Sequence, residues 1–159
     1  MTLVKIDFER DGDHVVYTGP CGPLRFRADQ DPATAVIVTP EGEDGMEFGM
    51  ARTDLDALRS GVAVRIAGED FRLRRDGKSL HLLDAAGRSR VIARRAMFGK
   101  TKLERPDGTV VATFLGLDGK VDERAEALEV RLLLLLAVSG ATRAIERRAS
   151  GDLLPIPGV

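Results

Sequence analysis

The residues that could carry out chemistry are few in this chain of 159 residues. Cys21 is its single cysteine, and His14 and His81 are its two histidines. Each histidine stands in a strand-like run and is more simply a sheet residue than a catalyst. Cys21 lies between prolines in a turn-like stretch, where a nucleophile would need a lowered pKa. One thiol and two imidazoles cannot assemble a Cys/His zinc site, so we expect neither a metal nor another cofactor.

Paired carboxylates make no stronger case for an active site. Asp11 and Asp13 lie at a predicted turn, and Asp54 and Asp56 lie at a predicted helix start. Aspartate is common at both positions for local reasons, because its side chain accepts backbone N–H groups there. General acid or base catalysis would need a partner in a shared cleft, which the spacing of these residues does not indicate.

Two short fragments imitate the end of a phosphate-binding loop, namely Gly77-Lys78-Ser79 and Gly99-Lys100-Thr101. A Walker A loop has a further glycine five positions before the glycine of this triplet, but here Arg72 and Arg94 occupy those positions. Neither fragment precedes a predicted helix. Both are better interpreted as hairpin turns, and we predict that the protein is not an enzyme.

Composition indicates a folded protein with one aliphatic core. Hydrophobic residues make up 43% and charged residues 31%, whereas aromatic residues make up 4% and tryptophan is missing. We expect one domain over residues 1–150, with 151–159 as a tail. The N-terminus lacks the pattern of a secretory signal, and the single cysteine fits a reducing compartment, so we expect a cytoplasmic protein that can lie peripheral to the membrane. Nineteen arginines against five lysines are typical of high-GC bacterial coding.

Repeated turn signals predict a series of β-hairpins. Asp-Gly, which tolerates the positive φ of tight turns, occurs at 11–12, 44–45, 76–77, 107–108 and 118–119. Ala51–Ser60 is typical of a short helix with Thr53 as its N-cap. The remaining runs between turns alternate or are rich in β-branched residues, which favours an antiparallel sheet or barrel. The predicted strands are Leu3–Phe8, His14–Tyr17, Leu24–Arg27, Ala35–Val38, Val62–Ile66, Phe71–Arg75, Ser79–Leu83, Arg90–Arg94, Thr101–Glu104 and Val110–Leu115.

One long helix is predicted at about 122–148, with acidic residues at its start and arginines at its end. Its middle, Leu132–Ala141, carries no charge and leaves no polar stripe on any face. Such a helix is enclosed by protein or by lipid. The stretch between Arg131 and Arg143 is about 16 Å long as a helix, too short to span a bilayer. We therefore predict a mainly β fold in which a barrel or wrapped sheet encloses the helix.

The order and spacing of these hairpins and of the helix that follows them are similar to those of a known superfamily. The segments Leu83–Arg88, Arg90–Arg95 and Leu103–Gly108, followed by an apolar helix ending Arg143-Ala144-Ile145-Glu146-Arg147, are similar to the tubby C-terminal-like superfamily. That group includes the LURP-one-related proteins and phospholipid scramblases, and the resemblance covers residues 62–148. It implies a β-barrel threaded by a hydrophobic helix. It also implies binding of anionic lipid or phosphoinositide by strand-borne lysines and arginines.

Charge is distributed unevenly along the chain, although the net charge is −1. Residues 71–105 contain eleven basic and three acidic side chains, whereas residues 1–70 contain seven and fourteen. The basic segment either forms a positive face for phosphate groups or is neutralised by the acidic segment. The candidate anion- or lipid-binding residues are Arg72, Arg74, Arg75, Lys78, Arg88, Arg90, Arg94, Arg95, Lys100 and Lys102.

The hypothesis that follows is a non-enzymatic module that binds anionic lipid headgroups or a membrane surface through residues 72–102. The alternative is a protein–protein interaction or structural protein. Nucleic acid is a weaker candidate, because no aromatic residue interleaves the basic ones and the sequence pI is about 6.1.

Overall fold

The computed structural model describes residues 2–30, 35–42, 46–49 and 57–139. These residues form mainly antiparallel strands, with the short helix α1 (Ala57–Ser60) and the longer helix α2 (Ala127–Ser139). The strands are β1 (Leu3–Lys5), β2 (Asp7–Asp11), β3 (His14–Thr18), β4 (Leu24–Gln30), β5 (Ala35–Pro40), β6 (Met46–Gly49), β7 (Val62–Ile66), β8 (Glu69–Asp76), β9 (Ser79–Leu83), β10 (Ser89–Arg95), β11 (Thr101–Glu104), β12 (Val110–Leu115) and β13 (Asp118–Asp122).

The sheet wraps on itself through its N-terminal strand. Each strand from β2 to β12 pairs with the next in sequence, and β13 pairs with β1, so that β1 and β2 stand at opposite edges. Yet only Ile6 separates these two strands, and its N–H donates to the Gly119 carbonyl at 2.9 Å. The two edges therefore meet at the N-terminal segment without pairing with each other. The fold is a wrapped sheet, and the predicted strand Leu3–Phe8 divides between its edges.

Helix α2 is enclosed by the sheet, as its composition predicts. Its five consecutive leucines, Leu132–Leu136, are at most 1% exposed. They belong to one core with the inward side chains of the strands, among them Phe26, Leu73 and Leu103. Alternation along β8 confirms the half-buried strand predicted there, since its apolar residues face this core. No helix among the described residues has the length and apolarity needed to cross a membrane.

The start of the helix differs from the prediction. Residues 118–122 form β13, which pairs with both β12 and β1, and α2 begins only at Ala127. This charged, turn-like stretch forms a strand because it pairs with a strand on each side. Local sequence does not reveal these partners. The predicted end of the helix near 148 lies outside the described residues.

The turn predictions hold at three Asp-Gly sites and fail at one. Gly12, Gly77 and Gly108 have φ of +67°, +61° and +89°, as tight turns require. Asp118-Gly119 lies instead within β13, and the turn before it uses Gly116 at φ +58°. β6 is a strand that the turn spacing did not predict. The predicted turn at 44–45 and the predicted N-cap at Thr53 lie outside the described residues, although the end of that helix is present as α1.

Asp84 organises the turn between β9 and β10, and its protonation should weaken the fold. Its carboxylate accepts the N–H groups of Arg88 at 2.9 Å and Ala86 at 3.0 Å. The bond from Arg88 is the main reason that the pKa of Asp84 lies below its usual range, and the charges of Arg88 and Arg90 act in the same direction. As pH falls, Asp84 therefore takes up a proton more readily in the unfolded chain than in the folded protein. Its contribution to stability is complete above about pH 4 and is lost as pH falls through the lower pKa of the folded state.

Asp84→Asn should therefore make the stability of the protein depend less on pH in the acid range. We expect the urea midpoint of the variant to fall less steeply below about pH 4 than that of the unmodified protein. Urea titrations between about pH 2.5 and 7 measure this difference. Parallel curves over that range would contradict the assignment.

Candidate functional site

The hairpins place their turns alternately at two ends of the sheet, because consecutive strands are antiparallel. We call one of these ends the tip end; there lie the turns between β8 and β9, between β10 and β11, and between β12 and β13. The other end is called the base. It carries the turns between β7 and β8, between β9 and β10, and between β11 and β12, together with the start of α2, whose Glu129 pairs with Arg105 after β11.

The predicted basic residues do not all gather at one end. Arg72 and Arg74 are exposed on the outer face of β8, while Phe71 and Leu73 are buried, as alternation predicts. Arg88 and Arg90 lie at the base, within 3.6 and 3.8 Å of the Asp84 carboxylate. They are therefore separated from the basic residues of the tip end, and the ten predicted residues form no single cluster.

The other six predicted residues lie at or near the tip end: Arg75, Lys78, Arg94, Arg95, Lys100 and Lys102. Lys78 stands in the turn after β8, and Lys100 follows the turn after β10. Glu104 lowers the local charge, because Arg94 donates to it at 2.9 Å and Lys102 lies 3.0 Å from it. Asp76 and Asp118 are exposed beside two of these turns, so six cations stand against three carboxylates and this end still carries a net positive charge.

A row of basic residues leads across the outer face from this end to the N-terminal strand. Arg94 is opposite Lys102, Lys102 is opposite Thr113, Thr113 is opposite Lys120, and Lys120 is opposite Lys5. Neighbouring strands are about 4.8 Å apart, and like charges facing each other across strands destabilise a sheet. Arg94 and Lys102 share Glu104, but the direct pairing of Lys120 with Lys5 is not explained by sheet stability. Lys5 and Lys120 were missed from the sequence, because only strand pairing brings them beside residues 94 and 102.

The tip end also exposes large apolar side chains. Met97 is 74% exposed and Phe98 is 86% exposed in the turn between β10 and β11. Leu115 and Leu117 are exposed at the next turn along the sheet. These four residues were not predicted from the sequence, although an apolar pair beside Gly99 in a predicted hairpin turn was a usable signal. Such turns are ordinarily polar, so the exposed pair calls for a role outside the core.

Phe98 also has an unusual backbone conformation. Its φ is +61° and its ψ is +33°, the left-handed region that glycine and asparagine favour and bulky residues avoid. The following residue, Gly99, is also left-handed, at φ +72°. A phenylalanine held there, outside the core, contributes strain of about 1–2 kcal/mol without any burial to offset it. Backbone strain at an exposed tip is typical of functional loops.

His81 contributes no positive charge to this face near neutral pH. It is partly buried on the outer side of β9, and burial is the main reason that its pKa lies below the usual range. The nearby arginines Arg74 and Arg94 lower it further, whereas Asp76 acts in the opposite direction. One of its ring nitrogens lies 3.2 Å from the Ser89 hydroxyl. The charge of the surface is therefore set by its lysines and arginines.

The single thiol makes a structural contact. The Cys21 Sγ donates to the Ala125 carbonyl at 3.1 Å, which joins the turn after β3 to the segment that precedes α2. Nearby, the Tyr17 hydroxyl donates to the Pro20 carbonyl at 2.8 Å, and burial raises the pKa of Tyr17 to about 12.

Across the part of the chain that the structure describes, no three His, Cys, Asp or Glu side chains are grouped so that they could hold a metal ion.

Comparisons with protein-family models, with curated proteins and with solved structures found no match. The tubby-like resemblance of residues 62–148 therefore stays a prediction from the sequence pattern. The arrangement of residues at the tip end is the evidence from which a function can be argued.

Proposed function

We propose that this protein is a non-enzymatic module that binds anionic membrane surfaces peripherally through its tip end. The observation that carries the proposal is the turn at 97–99, where Met97 and Phe98 are exposed between Arg95 and Lys100. Apolar side chains projecting from a rigid hairpin can enter the region between headgroups and acyl chains. Basic side chains beside them then lie at the depth of the phosphates.

Both components are needed, because each is weak alone. A basic residue near an anionic surface contributes about 1 kcal/mol, and that attraction decreases with salt. Burial of one large apolar side chain contributes about 1.5–3 kcal/mol. The second apolar tip, at Leu115 and Leu117, and the basic row on the outer face would extend the same contact. The ligand class that the tubby-like resemblance implies agrees with this proposal.

Co-sedimentation with phosphatidylcholine vesicles, with and without phosphatidylserine, tests the proposal. We expect binding only to the anionic vesicles, and weaker binding at about 0.15 M salt than at low salt. Lys100→Glu should lower the partition coefficient roughly tenfold or more, since it reverses one interfacial charge. Phe98→Ser should lower it roughly tenfold through the lost apolar insertion.

Arg88→Glu is the matched control, because it makes the same kind of charge reversal at an exposed arginine of the base. It should leave vesicle binding within about twofold of the unmodified protein, since the base would face away from the bilayer. An equal loss in the Arg88 and Lys100 variants would mean that net charge, not the tip end, governs binding. If the protein bound neither vesicle at low salt, the membrane proposal would be wrong, and a protein partner for the exposed tips would become the leading hypothesis.

A further inference from the structure

Strand β2 has one edge that no described strand covers. It is the last strand in the order of the sheet, and it pairs with β3 over five consecutive residue pairs. On its other side the chain is covered as far as Ile6, whose N–H donates to the Gly119 carbonyl at 2.9 Å. The covering ends there, because β13 begins at Asp118 and its register with β1 places Asp118 opposite Asp7. We call the uncovered side of residues 8–11 the free edge.

Alternation along the strand shows which main-chain groups lie on the free edge. Every second residue of an antiparallel strand directs its N–H and C=O to the same side. Ile6 directs its N–H toward β13, and Ile6 and Phe8 both pack into the core, so the alternation continues through this segment. Phe8 and Arg10 therefore direct their N–H and C=O groups to the free edge. Such unpaired groups are the template on which another strand can pair.

Sheet edges are ordinarily protected against such pairing, and β2 has one form of protection. Natural edges are blunted by short strands, proline, bulges or charged side chains. β2 is five residues long, contains no proline and pairs with β3 without a shift in register. Its protection is a row of exposed carboxylates on the outer face, from Asp7, Glu9 and Asp11. Such a row repels a strand of like charge and attracts a basic one.

The acidic row is neutralised only in part. The Asp11 carboxylate pairs with Arg25, whereas Asp7 and Glu9 make no ion pair with any residue that the structure describes. A second copy of β2, added antiparallel about Glu9, would place Glu9 opposite Glu9 and Asp7 opposite Asp11. Like charges opposite each other destabilise a sheet, so the row disfavours a second copy and favours a basic strand.

The other face of the free edge suits an apolar neighbour. Phe8 is half-buried, and its ring centre lies 5.6 Å from that of Tyr17 within the core. Because β2 is the last strand, no described strand beyond it covers the rest of this ring. An apolar side chain opposite Phe8 would remove more of its surface from water.

We propose that the free edge binds an extended peptide segment of a partner protein as an added strand. Its basic side chains would lie against Asp7 and Glu9, and an apolar side chain between them would lie against Phe8. Main-chain hydrogen bonds to Phe8 and Arg10 would hold the segment, and the alternating side chains would give selectivity. The inference does not rest on membrane binding, because it uses neither the turn at 97–99 nor the basic residues of the tip end.

Fluorescence anisotropy of a labelled peptide, titrated with the full chain at about 0.15 M salt, tests the proposal. The probe is a peptide of alternating lysine and valine, about seven residues long, so that it exceeds the five-residue strand at both ends. We expect saturable binding, and binding of an alternating glutamate–valine peptide that is roughly tenfold weaker or undetectable. No binding of the lysine–valine peptide, or equal binding of both peptides, would overturn the proposal.

N-methylation of the lysine–valine peptide tests whether main-chain pairing holds it. Two versions carry the methyl groups on the odd or on the even residues, and at least one should bind roughly tenfold more weakly. Undiminished binding of both versions would show that charge alone holds the peptide, which would contradict an added strand.

Arg10→Pro tests the same point on the protein. Proline removes the N–H on the free edge and leaves the hydrogen bonds between β2 and β3 in place. It should lower the peptide affinity roughly tenfold or more, although it also removes a positive charge that opposes the peptide. Arg10→Gln removes only that charge and should leave the affinity unchanged or raise it. An equal loss in both variants would contradict main-chain pairing.

Charge reversal on the outer face provides a test that does not depend on the proline variant. Glu9→Lys should lower the peptide affinity roughly tenfold or more. Glu69→Lys, at an exposed position of β8, is the matched control and should change it by less than about twofold. An equal loss in both would mean that net charge governs binding. A dimer of the unmodified protein that Arg10→Pro dissociates would make a second copy the occupant, and the proposal of a basic partner would be wrong.

Discussion

Replacing Arg105 with alanine should lower the free energy of unfolding by about 3 kcal/mol. Arg105 follows β11 at the base and donates from Nε and Nη2 to the two Glu129 carboxylate oxygens, at 2.9 and 3.0 Å. Its Nη1 lies 3.6 Å from Asp122. The side chain of Arg105 is 27% exposed, but those of Glu129 and Asp122 are 5% and 6% exposed. Its removal would leave two buried carboxylates without their cation.

This effect lies at the lower end of the range for a broken buried ion pair, because water can still reach the arginine site. Glu129 Oε1 also accepts the Glu126 N–H at the start of α2, so the pair positions the first turn of the enclosed helix. Chemical denaturation of the variant measures the loss.

Arg94→Ala is a matched comparison for this prediction. Arg94 makes a 2.9 Å hydrogen bond to Glu104 and is about half exposed, so its loss should cost less than about 1 kcal/mol. A double-mutant cycle of Arg105→Ala with Glu129→Gln should show a coupling energy of more than about 1 kcal/mol. Equal effects of the Arg105 and Arg94 substitutions would show that the buried Arg105–Glu129 pair contributes no more to stability than the more exposed Arg94–Glu104 pair.

Gly119→Ala should destabilise the protein by about 3 kcal/mol or more. Gly119 is opposite Phe114 in the pairing of β12 with β13. A Cβ at this position would lie 2.3 Å from the Thr113 carbonyl oxygen and 2.7 Å from the Phe114 Cα. Both contacts involve backbone, which can move only if the two strands separate. The Gly119 carbonyl also accepts the Ile6 N–H, so the same shift would disturb the place where the sheet edges meet.

Gly77→Ala provides the comparison, and thermal or urea unfolding of both variants measures the difference. Gly77 has φ +61°, and a Cβ added to it would meet no atom within 4 Å. Only backbone strain of about 1–2 kcal/mol is therefore expected there. A Gly119 variant as stable as the Gly77 variant would mean that the strands can accommodate the methyl group without cost.

The candidate surface was predictable only in part. The excess of basic residues over 71–105 was evident from composition, and the outward direction of Arg72 and Arg74 followed from alternation along one strand. The division of the basic residues between the two ends of the sheet was not predictable, because it depends on which turns lie at the same end. Lys5 and Lys120 lie far apart in sequence and meet only through the pairing of β1 with β13.

The sequence by itself determined the local structure of most hairpins and the burial of the helix. Turn residues with positive φ, period-two alternation and a leucine run without a polar face act over a few residues, so they can be interpreted without knowing their neighbours. The tertiary structure alone decided that Asp118–Asp122 is a strand, that the two edges meet at Ile6, and that β2 extends beyond β13. Each of these features joins segments that are distant in the chain, and long-range strand pairing and packing, unlike local propensity, leave no periodic signal in the sequence.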